Sequence, residues 1–253
     1  MDHHISSKDN ENIYNNRKRD LPSLPWIMKQ TWIDSLFIHY PVKREVLQKF
    51  VPDVLPIDTF EGVGWISIVP YLTSSMRLRG IPPAPGIKQF PGYNVRTYVN
   101  VNGRPGIYFF SLTAANWFSA TAAKIFFRLP YYFLDIHMDN HNDLVIFNSK
   151  TLANNGAQLI CNYKPNSKSK RAERGSLDEW LIERYCLFTV NKKGAPLRCN
   201  ILHHPWLLQD VEVEFQKNTT LSPFNIIPDN RNYIMHYSKR AEVRIWPLVS
   251  ALN

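Results

Sequence analysis

Apolar and polar residues alternate in short runs along most of this chain, with the two-residue period of β-strands rather than the 3.6-residue period of helices. From Leu24 onward WIMKQTWIDSLFIHY reads as extended until Pro41 breaks it. VKREVLQKFVP then places Val42, Val46, Leu47 and Phe50 on one helical face, and Pro52 and Pro56 end that helix. GWISIVPYL reads as a strand and RGIPPAPG as a proline-stiffened loop.

The clearest hairpin is NVRTYVNV, the turn NGRPG, then IYFFSL, because Asn102-Gly103 is a strong turn dipeptide between β-branched and aromatic runs. In its first strand Val95, Thr97, Val99 and Val101 alternate with Asn94, Arg96, Tyr98 and Asn100, which predicts one apolar and one polar face. NWFSATAAKIFF reads as a short helix after the hairpin. The runs YYFLDIHM, DLVIFNSK and AQLICNYK are separated by turn residues and predict a meander.

GSLDEWLIERY starts a helix whose Ser176 and Glu179 have the spacing of a capping box. YCLFTV and APLRCNILHH, joined by NKKG, predict a second hairpin, and VEVEFQ and RAEVRIWPL are the last strands. Strands dominate and helices are few. The expected fold is therefore α+β, a strongly curved antiparallel β-sheet or barrel with a few peripheral helices.

At 253 residues, 44% of them hydrophobic, the chain can bury a large core and remain one domain. Residues 23–253 are expected to form it, with residues 1–22 a disordered tail too poor in apolar side chains to fold alone. The 18 prolines against 10 glycines fit extended segments and rigid turns.

The net charge of +9 raises the question of nucleic acid. Lys164, Lys168, Lys170, Arg171 and Arg174 against Glu173 concentrate part of it in one segment, but no aromatic platform lies between Pro165 and Arg174. A solvated loop is expected, with nucleic-acid binding the weaker alternative. Pro105 through Ala123 carries no charge but is too polar to span a bilayer, and the polar N-terminus has no secretory core, so a cytoplasmic, membrane-free protein is expected. Cys161, Cys186 and Cys199 are odd in number without a CxxC pair, and reduced thiols are expected.

No HExxH, GxSxG, P-loop or GxGxxG motif is present. His203-His204 resembles a metal pair, but neighbours on a strand point to opposite faces, so no metal site and no cofactor are expected. His39 and His236 read as core or rim histidines. Arg96 stands out, because a cation on the polar face of a strand needs a partner or solvent if the sheet closes around it. Either a carboxylate such as Glu183 pairs with it, or it receives an anionic ligand, for which the guanidinium fork is suited. Arg184 carries the same ambiguity.

The runs NVRTYVNVNGRPGIYFFSLTA, RLPYY, GSLDEWLIERYCLF, LHHPW and HYSKRAEVRIWPL, in that order, resemble the YqjF-like family of uncharacterised proteins from about Trp26 onward. The resemblance implies the acetoacetate-decarboxylase-like fold, in which a curved sheet or barrel encloses a small-molecule cavity. In the decarboxylases a lysine forms a Schiff base with the substrate ketone. In the matching stretch AKIFFRLPYY, Lys124 takes the place of an arginine, Pro130 matches a proline, and Tyr131 and Tyr132 stand at the two lysines.

A phenol forms no imine, so Schiff-base decarboxylation is not expected. The resemblance implies instead a cavity for a small organic acid or carbonyl compound. Tyr131 would serve as the acid-base or hydrogen-bonding group, and Arg96, Tyr132, Glu183 and Arg184 would line the ligand. A non-enzymatic structural or interaction protein is the alternative, and the oligomeric state is left open. Removal of residues 1–20 is expected to leave the melting temperature within a few degrees, because the tail offers little apolar area to bury. A calorimetric scan showing a large loss would mean that the tail packs on the domain.

Overall fold

A computed structural model describes residues 23–81, 89–115, 131–150, 157–229 and 232–252, with only the backbone at 131–133. The tail at 1–22 and the helix expected over NWFSATAAKIFF lie outside the described residues. The elements are β1 (Met28–Val42), α1 (Arg44–Gln48), β2 (Gly64–Leu78), β3 (Gln89–Val101), β4 (Arg104–Ala114), β5 (Tyr131–Phe133), β6 (Asp135–His141), β7 (Leu144–Lys150), β8 (Leu159–Pro165), α2 (Leu177–Ile182), β9 (Cys186–Val190), β10 (Pro196–Leu202), β11 (Val211–Asn218) and β12 (Ile234–Ser250).

They build two sheets. The larger runs β3-β2-β1-β12-β10-β9-β4-β5 and pairs β3 with β4, so it curls back on itself. Its seam is weak: β9 and β4 meet only at Ile107 and Leu187, in parallel. The sheet is thus strongly curved rather than a clean barrel. It is antiparallel apart from the parallel contacts of β4 with β9 and β5.

The expected meander β6-β7-β8 forms, but it joins β11 in a separate four-stranded sheet. The sequence pattern does not specify this second layer. Both faces of the larger sheet are consequently covered. Leu36, Ile38, Ile66, Ile68, Val95 and Val99 pack with Val145, Phe147, Cys161 and Tyr163 of the second sheet. Phe37, Trp65, Val69, Tyr98, Phe109 and Ile245 pack together on the inner side of the curl.

The polar face expected for β3 is accordingly not solvated, since Asn94, Arg96 and Tyr98 are 5%, 8% and 0% exposed. The curl places them on the concave side, where neighbouring strands exclude water. The β3–β4 turn follows the sequence closely, with Asn102 and Gly103 at φ 55° and 77°, the left-handed pair of a type I′ hairpin. Gly64 permits a different close approach: a Cβ there would lie 2.8 Å from the Val42 carbonyl and 2.9 Å from Leu47, the residue that α1 buries.

The capping box at α2 closes one residue upstream of the expected position. The Glu179 N–H donates to Ser176 Oγ at 3.2 Å, but the Glu179 carboxylate accepts from the Gly175 N–H at 2.7 Å, while the Ser176 N–H donates to the Glu173 carbonyl. The basic segment is mostly exposed, and Lys170 in it approaches Asp210 at 3.8 Å. All three cysteines are buried and free.

The two sheets are joined through Asp34, where β1 bulges against β2 and adopts φ 50°. Tyr163 of β8 donates to the Asp34 backbone carbonyl at 2.7 Å, and Asn140 of β6 donates to its carboxylate at 2.7 Å. Tyr237 and Lys239 of β12 reach the same carboxylate. Aspartate and asparagine tolerate left-handed backbone better than other non-glycine residues, so the residue type serves both the bend and the clamp. Asp34→Ala should lower unfolding stability by about 3 kcal/mol or more, because it strands buried donors and strains the backbone. Asp34→Asn should lower it by about half as much. Equal and small losses in urea denaturation would show that the clamp does not hold the layers together.

Candidate functional site

Strand register assembles a line of polar groups on the concave face. His39 of β1 lies opposite Ser67 of β2, and Ser67 lies opposite Arg96 of β3. On the other flank Phe37 of β1 lies opposite His236 of β12. Paired residues share a face. Four strands thus deliver His236, Phe37, His39, Ser67 and Arg96 to one surface.

Ser67 Oγ is 2.6 Å from His39 Nδ1 and 2.6 Å from Tyr98 Oη, and Tyr98 Oη is 3.1 Å from the same histidine nitrogen. Burial holds the His39 pKa well below the ordinary value, with further depression from His236 and Arg96, so the ring is neutral at pH 7. Its Nε2 is sealed from solvent without a partner. His236 Nε2 is 3.1 Å from Asp178, whose pKa is lowered by that hydrogen bond, and His236 Nδ1 is likewise buried and unpartnered. The two imidazoles meet edge to face with centroids 5.5 Å apart.

Arg96 sits over the Phe37 ring at 5.6 Å. Burial lowers its pKa, opposed by the hydroxyls of Tyr98 and Tyr71, and its Nε has no acceptor. Among the described residues no carboxylate lies within ion-pair distance of it. The internal segments outside the described residues, 82–88, 116–130, 151–156 and 230–231, contain no Asp or Glu at all.

Glu183, the partner offered by sequence, turns elsewhere. Its carboxylate accepts from the Trp206 N–H at 2.8 Å and from the Tyr185 hydroxyl. Arg184 is the satisfied member of the arginine pair: Nη1 donates to Asp58 at 2.7 Å and Nε to the Trp180 carbonyl at 2.7 Å. Its guanidinium lies 4.1 Å from the Trp180 ring and 5.1 Å from the Tyr98 ring. Burial lowers its pKa against the support of Asp58, and only Nη2 is buried without an acceptor.

Aromatic rings continue outward from Arg96. Phe37 meets Trp206 edge to face at 5.0 Å, Trp206 lies parallel to Trp32 at 6.1 Å, and Trp32 leans on Tyr71 at 5.8 Å. Trp206 is buried, whereas Trp32 and Tyr71 are half-buried. The bond to Glu183 fixes Trp206 in this row.

Sequence reasoning singled out Arg96 and Arg184, and both lie beside Tyr98. It did not single out Ser67, Asp58 and Asp178, which lie in the same network, and it read His39 and His236 as core or rim histidines. The backbones of Tyr131 and Tyr132 pair with Leu112 and Thr113, and Leu112 belongs to the inner cluster. Their side chains, like Lys124 and Pro130, lie outside the described residues. His203 and His204 follow the end of β10; His203 is buried against Tyr185 at 4.4 Å and His204 is exposed. Among the described residues no three or more His, Cys, Asp or Glu are grouped to hold a metal. Burial pushes the Cys161 and Cys186 thiols up to about 12, and that of Cys199 further, so none is a thiolate at neutral pH.

The chain matches the DUF2071 family of uncharacterized conserved proteins over residues 29–242. It is 41% identical over 228 residues to the uncharacterized protein YqjF of Bacillus subtilis (strain 168), which spans 90% of this chain and 94% of that protein. Among solved structures it is similar to the enduracididine biosynthesis enzyme MppR complexed with pyruvate, with a TM-score of 0.61 at 10% identity over 92% of this chain and 93% of that one. An acetoacetate decarboxylase-like enzyme from Sphingomonas wittichii RW1 gives 0.60 at 10% identity, over 90% and 94%. Acetoacetate decarboxylase from Legionella pneumophila gives 0.57 at 12% identity, over 94% and 95%. At such identities the likeness is one of fold.

A buried cation without a carboxylate costs stability, and replacing it by an apolar chain of similar length removes that cost. Arg96→Met should therefore leave the ligand-free protein as stable as the wild type, or raise its unfolding free energy by about 1–3 kcal/mol. A loss of about 3–5 kcal/mol in urea denaturation would mean that Arg96 has an acidic partner in the native state.

Proposed function

We propose, on the premise that this chain belongs to the DUF2071 family of uncharacterized conserved proteins, that it binds a small organic acid or carbonyl compound within the curved sheet. The observation that carries this reading is Arg96, a buried guanidinium with no carboxylate partner among the described residues. A ligand carboxylate supplies the missing charge and accepts the guanidinium fork, and in a low-dielectric interior such charge-assisted bonds are strong. The solved MppR complex with pyruvate shares this fold and supports a small-molecule site in it.

Each further group has a role in this reading. The Tyr98–Ser67–His39 network braces the floor beneath the ligand, and neutral His39 adds no competing charge. Arg184, neutralised by Asp58, positions Tyr98 through its ring face, and Glu183 acts by holding Trp206. Tyr131, whose backbone runs beside Leu112, donates a hydrogen bond or a proton to the ligand carbonyl, with Tyr132 beside it.

No imine chemistry is part of the proposal. A Schiff-base lysine needs burial or a neighbouring cation to release its proton at neutral pH, and no described lysine is buried. No cofactor is invoked. No described helix is long and apolar enough to cross a membrane, and the protein is proposed to act in the cytoplasm.

A thermal-shift titration with acetate, pyruvate and acetoacetate tests the reading. The wild type should be stabilised and Arg96→Met should not respond, whereas Tyr131→Phe should weaken the effect by about 1 kcal/mol, the net worth of one neutral hydrogen bond. Borohydride added with acetoacetate should trap no lysine adduct. Equal responses from wild type and Arg96→Met would remove the anchor, and a trapped lysine with carbon dioxide release would restore the decarboxylase reading.

A further inference from the structure

The aromatic row that starts at Arg96 limits the ligand further than the charge does. Arg184 is matched by Asp58, so among the described residues Arg96 is left as an uncompensated positive charge near Tyr98, and a monoanion balances it. A second carboxylate would have to be buried without a cation of its own. From the Phe37 ring beneath Arg96, the surface continues through Trp206 to the half-buried rings of Trp32 and Tyr71. Tyr71 is four residues from Ser67 on β2, and Ser67 pairs with Arg96, so strand alternation puts the outer end of the row on the same face as the anchor.

We propose that the preferred ligand is an aromatic monocarboxylate, whose carboxylate meets Arg96 and whose ring packs against Trp32 and Tyr71. The inference rests on the Arg96 anchor proposed above. Two physical points favour it over a short aliphatic acid. Trp32 and Tyr71 are large rings left half-buried beside the buried Phe37 and Trp206, and a flat apolar body covers the surface they leave open. The parts that shape the row are also braced from behind, since Glu183 fixes the Trp206 backbone and the Trp32 Nε1–H donates to Gln30 at 2.9 Å. A row held in this way loses little freedom when a ring packs on it.

The experiment is a calorimetric titration of the full chain with benzoate, phenylacetate, acetate and the neutral benzyl alcohol. Wild type is expected to bind benzoate or phenylacetate at least tenfold more tightly than acetate, and benzyl alcohol more weakly than either aromatic acid. Trp32→Leu, checked by its circular dichroism for an intact fold, should narrow the ratio of benzoate to acetate affinity to near one. Tyr71→Leu provides an independent version of the same test. Acetate binding as tightly as benzoate in the wild type, or the aromatic preference persisting in both variants, overturns this inference and leaves the anchor standing. Binding of none of the acids, or benzoate binding that survives Arg96→Met, overturns the anchor and the aromatic preference with it.

Discussion

The constraint on which the structure depends is burial of the larger sheet on both faces. A curved sheet with one wet face would let Arg96, Tyr98 and His39 be hydrated, and none of them would carry information. Here the second sheet seals the convex side through Phe147, Tyr163 and their neighbours, and the curl seals the concave side. Each polar side chain on the inner face must therefore find a partner in the protein or remain short of one. Asp34 maintains this condition, because it ties β6, β8 and β12 to β1 at the place where β1 bends.

Under that constraint the inner polar groups divide into two sets. Ser67 with Tyr98, and Arg184 Nη1 with Asp58, are paired at 2.6 and 2.7 Å. Arg96 Nε, His39 Nε2, His236 Nδ1 and Arg184 Nη2 have no hydrogen-bond partner among the described residues. Stranded buried polar groups are costly, and the proposed ligand carboxylate would relieve that cost at the Arg96 guanidinium. The neutrality of His39 follows from the same arrangement, since burial and two neighbouring basic groups all disfavour a further proton.

Much of the local architecture was legible in the sequence. Asn102-Gly103 fixed a hairpin because only a left-handed turn fits between those two strands, and period-two alternation put Arg96 on the face opposite Val95 and Val99. What alternation could not convey was that both faces are buried, because the pairings of β11 with β8, of β12 with β1 and of β9 with β4 depend on long-range register. The site partners were hidden for the same reason: Arg184 meets Asp58 across 126 residues, and His39 meets Ser67 across 28. The sequence offered Glu183 as one acidic partner for Arg96, whereas that carboxylate accepts the Trp206 N–H, and no other carboxylate among the described residues pairs with the arginine.

The central claim is that the Arg96 guanidinium is an anion receptor waiting in the interior of the sheet. Nitrogen-15 NMR of the arginine side chains, assigned through Arg96→Met, observes that group directly while a carboxylate is added. The account predicts that the Arg96 signals shift and saturate on titration with benzoate, while those of Arg184, already held by Asp58, move little. Arg96 signals that stay fixed throughout the titration, or that have the position of a carboxylate-bound guanidinium before any ligand is added, would contradict it.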